Sequence, residues 1–303
     1  MTTSRAPFGQ MLTAMITPMS PGGAVDYDGA ARLAAYLVDE MRNDGLVVSG
    51  TTGESPTTSD EEKDRLLRAV VEAVGDRASV VAGVGTNDTA HTVELARQAE
   101  RAGAHGLLVV TPYYNKPPQD GLYAHFTTVA DATGLPVLLY DIPARTGVPI
   151  KTETLIRLAE HPRIAGVKDA KDDPAAMSAV LLAQPGFVYY CGTDMLNLPW
   201  LSLGAAGFVS VVGHVVGDRL HEMIDAFGAG DVARARAIHY ELLPVYTGIF
   251  RNQGAIMTKA ALGLLGLPGG PVRGPLANAT RDEVERLRTD LAAGGVKLSG
   301  MAE

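Results

Sequence analysis

The sequence predicts a (β/α)8 barrel followed by a C-terminal helical extension. Three observations carry that expectation. Eight short apolar runs recur along the first 212 residues. Amphipathic stretches with helical spacing, such as EEKDRLLRAVVEAV and AHTVELARQAERA, lie between them. After about residue 230 the runs stop and only helical patterns remain. Barrels of this class run to roughly 250 residues, so eight strand–helix units at this spacing suit closure better than an open sheet.

The runs are MLTAMI (11–16), LVVS (46–49), SVVAGV (79–84), GLLVV (106–110), PVLLY (136–140), IAGV (164–167), FVYY (187–190) and GFVSVV (207–212). Each is short and rich in branched apolar residues, as strands buried on both faces are. A doubly wound nucleotide-binding sheet is the structural rival, but its glycine fingerprint is missing. GVGTND (83–88) lacks the third glycine, and GAGDVA (228–233) follows a helical stretch instead of a strand. Ser59 and Glu62 form a capping box for a helix, as do Thr280 and Glu283 for the last one, which Gly294-Gly295 ends. Residues 231–265 read as helices and LPGGPVRGPL (267–276) as a loop. The expected division is therefore a barrel over 1–230 and a helical extension over 231–303, packed on the barrel or on a neighbouring subunit.

Composition narrows the function. The chain has 303 residues, 46% of them hydrophobic, with a formal charge of −8. It has no basic run, so a nucleic-acid partner is not expected. An anionic substrate would need a locally built site. The single cysteine, Cys191, permits no internal disulfide. MTTSRAPFG lacks the apolar core of a signal peptide, and no run is long enough for a bilayer. A cytoplasmic protein is the expectation. The histidines lack metal spacing; HEMID (221–225) has Asp225 where a zinc-protease pattern needs histidine. SGTTG lacks the glycine of a nucleophile elbow.

The candidate chemistry centres on IAGVKDAKDD (164–173). Asp173-Pro174 is a helix-start signal, so the sixth barrel helix begins near 174. Lys171 then falls in an exposed turn, and Lys168 at the carboxyl end of strand six. Active sites of these barrels lie at that end. Alternation gives Lys168 the face of Gly166 and Ile164, and Gly166 would leave room for its side chain. Among apolar walls its amine would be pushed towards the neutral, nucleophilic form. The alternative is a lysine snorkelling to solvent. Tyr140 ends strand five, next to Lys168 if both point inward. Gly50, Thr51, Thr52 and Gly53 follow strand two, and their backbone N–H groups could cradle a small carboxylate, or form a plain turn. Tyr113 and Tyr114 follow strand four and read first as an interface pair. Cys191 and Trp200 read as buried packing residues.

Together GTTGES (50–55), TPYYNKP (111–117), YDIPART (140–146), GVKDA (166–170) and GFVSV (207–211) resemble the dihydrodipicolinate synthase family, in the class I aldolase group that also holds N-acetylneuraminate lyase. The resemblance spans nearly the whole chain. It implies an imine between Lys168 and pyruvate, with Tyr140 as acid and base. Thr51 would link Tyr140 to Tyr114, lent by an adjacent subunit of a dimer-of-dimers tetramer. Thr52 would hold the pyruvate carboxylate, Arg145 the carboxylate of L-aspartate 4-semialdehyde, and Gly192 and Val209 would line the pyruvate site. The implied product is 4-hydroxy-tetrahydrodipicolinate, on the diaminopimelate and lysine pathway, and no metal or organic cofactor is implied. Asp141, Ala144, Thr146, Cys191 and Thr193 depart from commoner family residues without removing a catalytic group. His91, Asp60 and Lys63 replace residues of lysine-inhibited relatives, so weak or absent lysine inhibition is expected. A sister aldolase using a sugar-derived aldehyde would share Lys168, Tyr140 and the Gly50–Gly53 loop, but many such lyases carry GSTGE and lack the arginine. A keto-acid sensor without turnover would not need Thr51 or Tyr114.

Overall fold

A computed structural model describes residues 6–298. The first five residues, which begin the stretch read above for a signal peptide, and residues 299–303, the end of the expected extension, lie outside the described residues.

The eight apolar runs become β1 (Met11–Ala14), β2 (Gly45–Val48), β3 (Ser79–Gly83), β4 (Gly106–Val110), β5 (Val137–Asp141), β6 (Ile164–Asp169), β7 (Val188–Cys191) and β8 (Gly207–Ser210). All pair in parallel, and β8 returns to β1, so the barrel is closed. The helices are α1 (Tyr27–Asp39), α2 (Asp60–Val74), α3 (Thr89–Arg101), α4 (Gln119–Asp131), the short α5 (Pro143–Thr146), α6 (Thr152–Leu158), α7 (Pro174–Ala183) and α8 (Asn197–Leu203). There follow α9 (Gly213–Gly228), α10 (Val232–Glu241), α11 (Leu243–Ile249), α12 (Gly254–Leu264) and α13 (Arg281–Ala293). Local chemistry sets the helix starts. The Ser59 and Thr280 side chains accept from the N–H groups of Glu62 and Glu283, and both glutamates reach back to close capping boxes. Asp173 accepts from Ala176 N, which places Lys171 before the first turn of α7.

Strand alternation sorts the core into two layers. Leu12, Val47, Val81, Leu108, Leu138, Val188 and Val209 point into the barrel, with Phe8 closing its lower end. Gly106 passes so near the Phe8 ring that an added Cβ would lie 2.3 Å from it. The outward residues pack under the helices, as Leu107, Leu139, Val167 and Tyr189 do. Each fully buried aliphatic side chain stabilises the fold by about 1.5–3 kcal/mol before entropic costs. Tyr140 and Lys168 continue the inward rows of β5 and β6 at the carboxyl end.

One detail of strand six differs from simple alternation. Val137 pairs with Ile164 but Leu138 pairs with Gly166, so β6 carries one extra residue against β5. Ile164 is thereby turned to the outer layer, and does not share the face of Lys168. The bulge resets the alternation one residue into the strand, which the spacing alone did not reveal.

After α9 the chain stays helical. α11 packs on α13, and α12 packs on both α9 and α13. No helix among the described residues is long and apolar enough to cross a membrane.

Candidate active site

The site assembles where β5 and β6 end. Tyr140 and Lys168 are direct register partners on these strands. The Lys168 Nζ lies over the Tyr140 ring, 4.3 Å from its centroid. Lys168 is 4% exposed and Tyr140 6%. Burial is the main reason that the Lys168 amine is lowered to about 8, opposed by the Asp194 carboxylate and reinforced by the Arg145 guanidinium. Burial pushes the Tyr140 phenol up to about 12, with Arg145 and a hydrogen bond to the Thr51 side chain pulling the other way. The pair therefore combines an amine that loses its proton readily with a phenol that keeps its own.

Above them opens a cavity of about 330 Å3, lined by Gly50, Thr51, Tyr113, Tyr114, Tyr140 and Arg145 among others. That is room for a small keto acid and a second small substrate. The loop after β2 is tightly folded. The N–H groups of Gly53 and Ser55 donate to Gly50 O, and Glu54 N donates to Thr51 O. Within the described residues the N–H groups of Thr51 and Thr52 make no hydrogen bond. Thr52 is buried beside the half-buried Thr51. Two non-glycine residues in the left-handed region, Ser49 (φ 58°) and Glu54 (φ 57°), bracket the loop. Such strain is typical of a site held in one geometry by its surroundings.

Arg145 sits exposed on α5, beyond the end of β5, at the cavity's edge. Tyr114 lines the same cavity, yet it is 89% exposed and has φ 75°. Val209 is fully buried in the inward layer of β8. Gly192 touches Lys168 most directly. A Cβ there would lie 3.0 Å from Lys168 Cε, 3.1 Å from its Cγ and 2.9 Å from Asp169 O. Gly192, not Gly166, is thus the glycine that makes room for the lysine stem. A Cβ on Gly166 would instead collide with Val188 O at 2.3 Å, so that glycine serves the close approach of β6 and β7.

The expectation of an exposed Lys171 is also corrected. Its side chain is only 12% exposed and its Nζ stands 3.8 Å from Asp141 Oδ2. It donates to Ile150 O as well. The cause is the outward carboxylate that ends β5: Asp141 is fully buried and draws the cation over itself. Burial pushes Asp141 up to about 7, against the pull of Lys171 and the Ile150 N–H. Its register partner Asp169 is pushed up to about 6, chiefly by burial. Both carboxylates face away from the cavity, on the opposite face from Tyr140 and Lys168.

Asp194 was not foreseen. It is buried just after β7 and accepts from Ser210 Oγ, Val211 N, Val212 N and Asn197 Nδ2. Its charge favours the ammonium form of Lys168. An isolated Thr-Asp pair in a loop gives no sequence signal for that role. Cys191 is buried, donates to Thr193 O and is pushed up by burial, as expected of a packing residue. Thr193 in turn donates to Asp172 Oδ1, tying together the loops after β6 and β7.

Comparison with known proteins decides the family. The model of the dihydrodipicolinate synthetase family matches residues 7–294. The chain belongs to the dihydrodipicolinate synthetase family. Within that family it is 66% identical over 296 residues to 4-hydroxy-tetrahydrodipicolinate synthase 2 of Streptomyces coelicolor, covering 98% of each chain. It is 66% identical over 297 residues to the 4-hydroxy-tetrahydrodipicolinate synthase of Acidothermus cellulolyticus, covering 97% of this chain and 96% of that one. Among solved structures, that of the dihydrodipicolinate synthase of Cyanidioschyzon merolae with lysine bound superposes with a TM-score of 0.94 at 41% identity. It covers 96% of this chain and 99% of that one. The closed barrel and its C-terminal helices are therefore those of the dihydrodipicolinate synthetase family.

Proposed function

We propose that the chain condenses pyruvate with L-aspartate 4-semialdehyde to give 4-hydroxy-tetrahydrodipicolinate, for diaminopimelate and lysine synthesis. The observation that carries this reading is the buried Lys168 Nζ over the Tyr140 ring, beside the Thr51 hydroxyl.

Lys168 adds as a neutral amine to the pyruvate carbonyl, and Tyr140 gives a proton to the carbinolamine oxygen so that it leaves as water. The imine withdraws electrons from the methyl group, which loses a proton to become an enamine. The enamine carbon bonds to the aldehyde carbon of the semialdehyde, whose oxygen takes up a proton. The substrate's own amine then attacks the imine carbon and expels Lys168, closing the ring. Protons move on and off oxygen and nitrogen several times, and Tyr140, Thr51 and Tyr114 form the relay for them. Thr52 and the N–H groups of Thr51 and Thr52 hold the pyruvate carboxylate, while Gly192 and Val209 shape that end of the pocket. Arg145 at the rim binds the semialdehyde carboxylate. The reaction requires no metal or organic cofactor, because the lysine imine is the electron sink.

The functional protein is a homo-oligomer, a tetramer built as a dimer of dimers, in the cytoplasm. Support comes from Tyr114, held exposed on a left-handed backbone, and from Leu182 on α7 and Leu203 on α8, which are also exposed. The expected division into a barrel over 1–230 and an extension over 231–303 is kept here, with the extension packed on its own barrel.

Substituting Arg145→Ala tests the assignment of the two carboxylates. Steady-state kinetics should show a KM for semialdehyde raised at least tenfold, with pyruvate imine formation within about threefold of the parent. Equal loss towards both substrates would assign Arg145 to pyruvate and contradict the reading.

A further inference from the structure

The loop that carries Thr51 and Thr52 is gripped from behind by the C-terminal helices. Glu54 ends its strained stretch, and its side chain is 1% exposed. The Lys259 side chain on α12, 3% exposed, reaches it at 2.5 Å. Lys259 also donates to Pro271 O, and Arg273 N donates to the second Glu54 oxygen at 2.7 Å. The Arg273 guanidinium continues the grip. It donates to Thr57 O, Gly23 O and both Glu62 oxygens. Residues 269–270 lie directly on the loop after β1: Met19 N donates to Gly269 O, and a Cβ on Gly270 would collide with Met19 O. That first loop is itself joined to the second, since Thr17 Oγ1 donates to Gly53 O.

None of these groups lines the cavity, and none has a part in the chemistry above. A buried ion pair stabilises weakly because desolvation offsets the attraction, so stability alone is a poor account of it. What it does supply is a fixed geometry. Glu54 N donates to Thr51 O, so holding the Glu54 side chain fixes the backbone three residues from Thr51.

We propose that Glu54, Lys259 and Arg273 are positioning residues, which lock the Gly50–Ser55 loop in the shape that binds the pyruvate carboxylate. The C-terminal extension thereby completes the barrel's substrate site. This rests on the reading that the loop after β2 holds pyruvate.

The test uses the full-length protein and two variants. Glu54→Gln with Lys259→Met removes both charges together, so neither is left buried alone. Arg273→Lys keeps the charge but loses the fork that spans Thr57 and Glu62. Melting temperature, steady-state kinetics and the pyruvate concentration needed for half-maximal borohydride trapping of Lys168 are measured on each. The expected result is a pyruvate KM and trapping midpoint raised at least tenfold in the double variant and about threefold to tenfold in Arg273→Lys. At saturating pyruvate, kcat stays within about threefold. A pyruvate midpoint within twofold of the parent in a folded double variant overturns the proposal. Should the double variant fail to fold, the same result for Arg273→Lys overturns it. A parent protein that gives no pyruvate adduct would refute the underlying reading instead.

Discussion

Lys168 has two consequences that can be measured apart from turnover. An amine lowered to about 8 is mostly charged at pH 7 and mostly neutral at pH 9. The rate of imine formation with pyruvate should therefore climb with pH and level off above about 8, as stopped-flow measurement would show. The same shift bears on stability. The unfolded lysine, near 10.5, binds its proton more tightly than the folded one. Folding is thus penalised fully below pH 8, and the penalty fades between about 8 and 10.5. Replacing Lys168 by methionine should abolish activity yet stabilise the protein at pH 7 by about 3 kcal/mol. Thermal melts in which Lys168→Met is no more stable at pH 7 than at pH 11, relative to the parent, would mean that the lysine is not buried as described. The place of Lys168 at the strand end was legible from sequence because the apolar run before it and the helix cap after it bracket that position, whereas the glycine beside its stem was misassigned to 166. The side of the strand faced by Ile164 was not, because a bulge is a tertiary response of β6 to β5. Nor was the burial of Lys171, which depends on a carboxylate thirty residues away.

At the level of elements, α2 and α3 carry the expectation about regulation. The His91 Nε2 lies 2.9 Å from Asp60 Oδ2, and the Lys63 Nζ lies 3.7 Å from Asp60 Oδ1. Lys63 also donates to Thr58 O. The acidic group between these helices is therefore already matched by two basic side chains of the protein. A lysine ligand would bring a further cation to a place where the Asp60 carboxylate already has partners. Lysine should give less than half inhibition at about 1 mM, a concentration at which a weak site of roughly −4 kcal/mol is half filled. Half inhibition well below that concentration in a steady-state assay would contradict this. The strands and most helices were legible because apolar period and caps agree. The grip of α12 on the loop after β2 was hidden, since Glu54 and Lys259 are some two hundred residues apart and neither sits in a pattern that pairs them.

For the whole molecule, the net charge of −8 disfavours anionic pyruvate at long range, while the zwitterionic semialdehyde gains nothing from it. On the proposed reading, capture depends on local groups, namely Arg145 and the loop amides. The exposed Tyr114 sets a second whole-molecule expectation. Sedimentation velocity at micromolar concentration should show a dimer or larger species, and Tyr114→Phe should leave assembly intact while lowering kcat at least tenfold. A fully active monomer would show that no partner tyrosine is needed.

The proposed reaction turns on an imine between Lys168 and pyruvate, and borohydride reduction traps that bond. Reduction in the presence of pyruvate should add one reduced pyruvyl group per chain, located on Lys168 by tandem mass spectrometry of the peptide spanning β6, with loss of activity in proportion. Label on Lys171, or full activity without any label, would contradict the account.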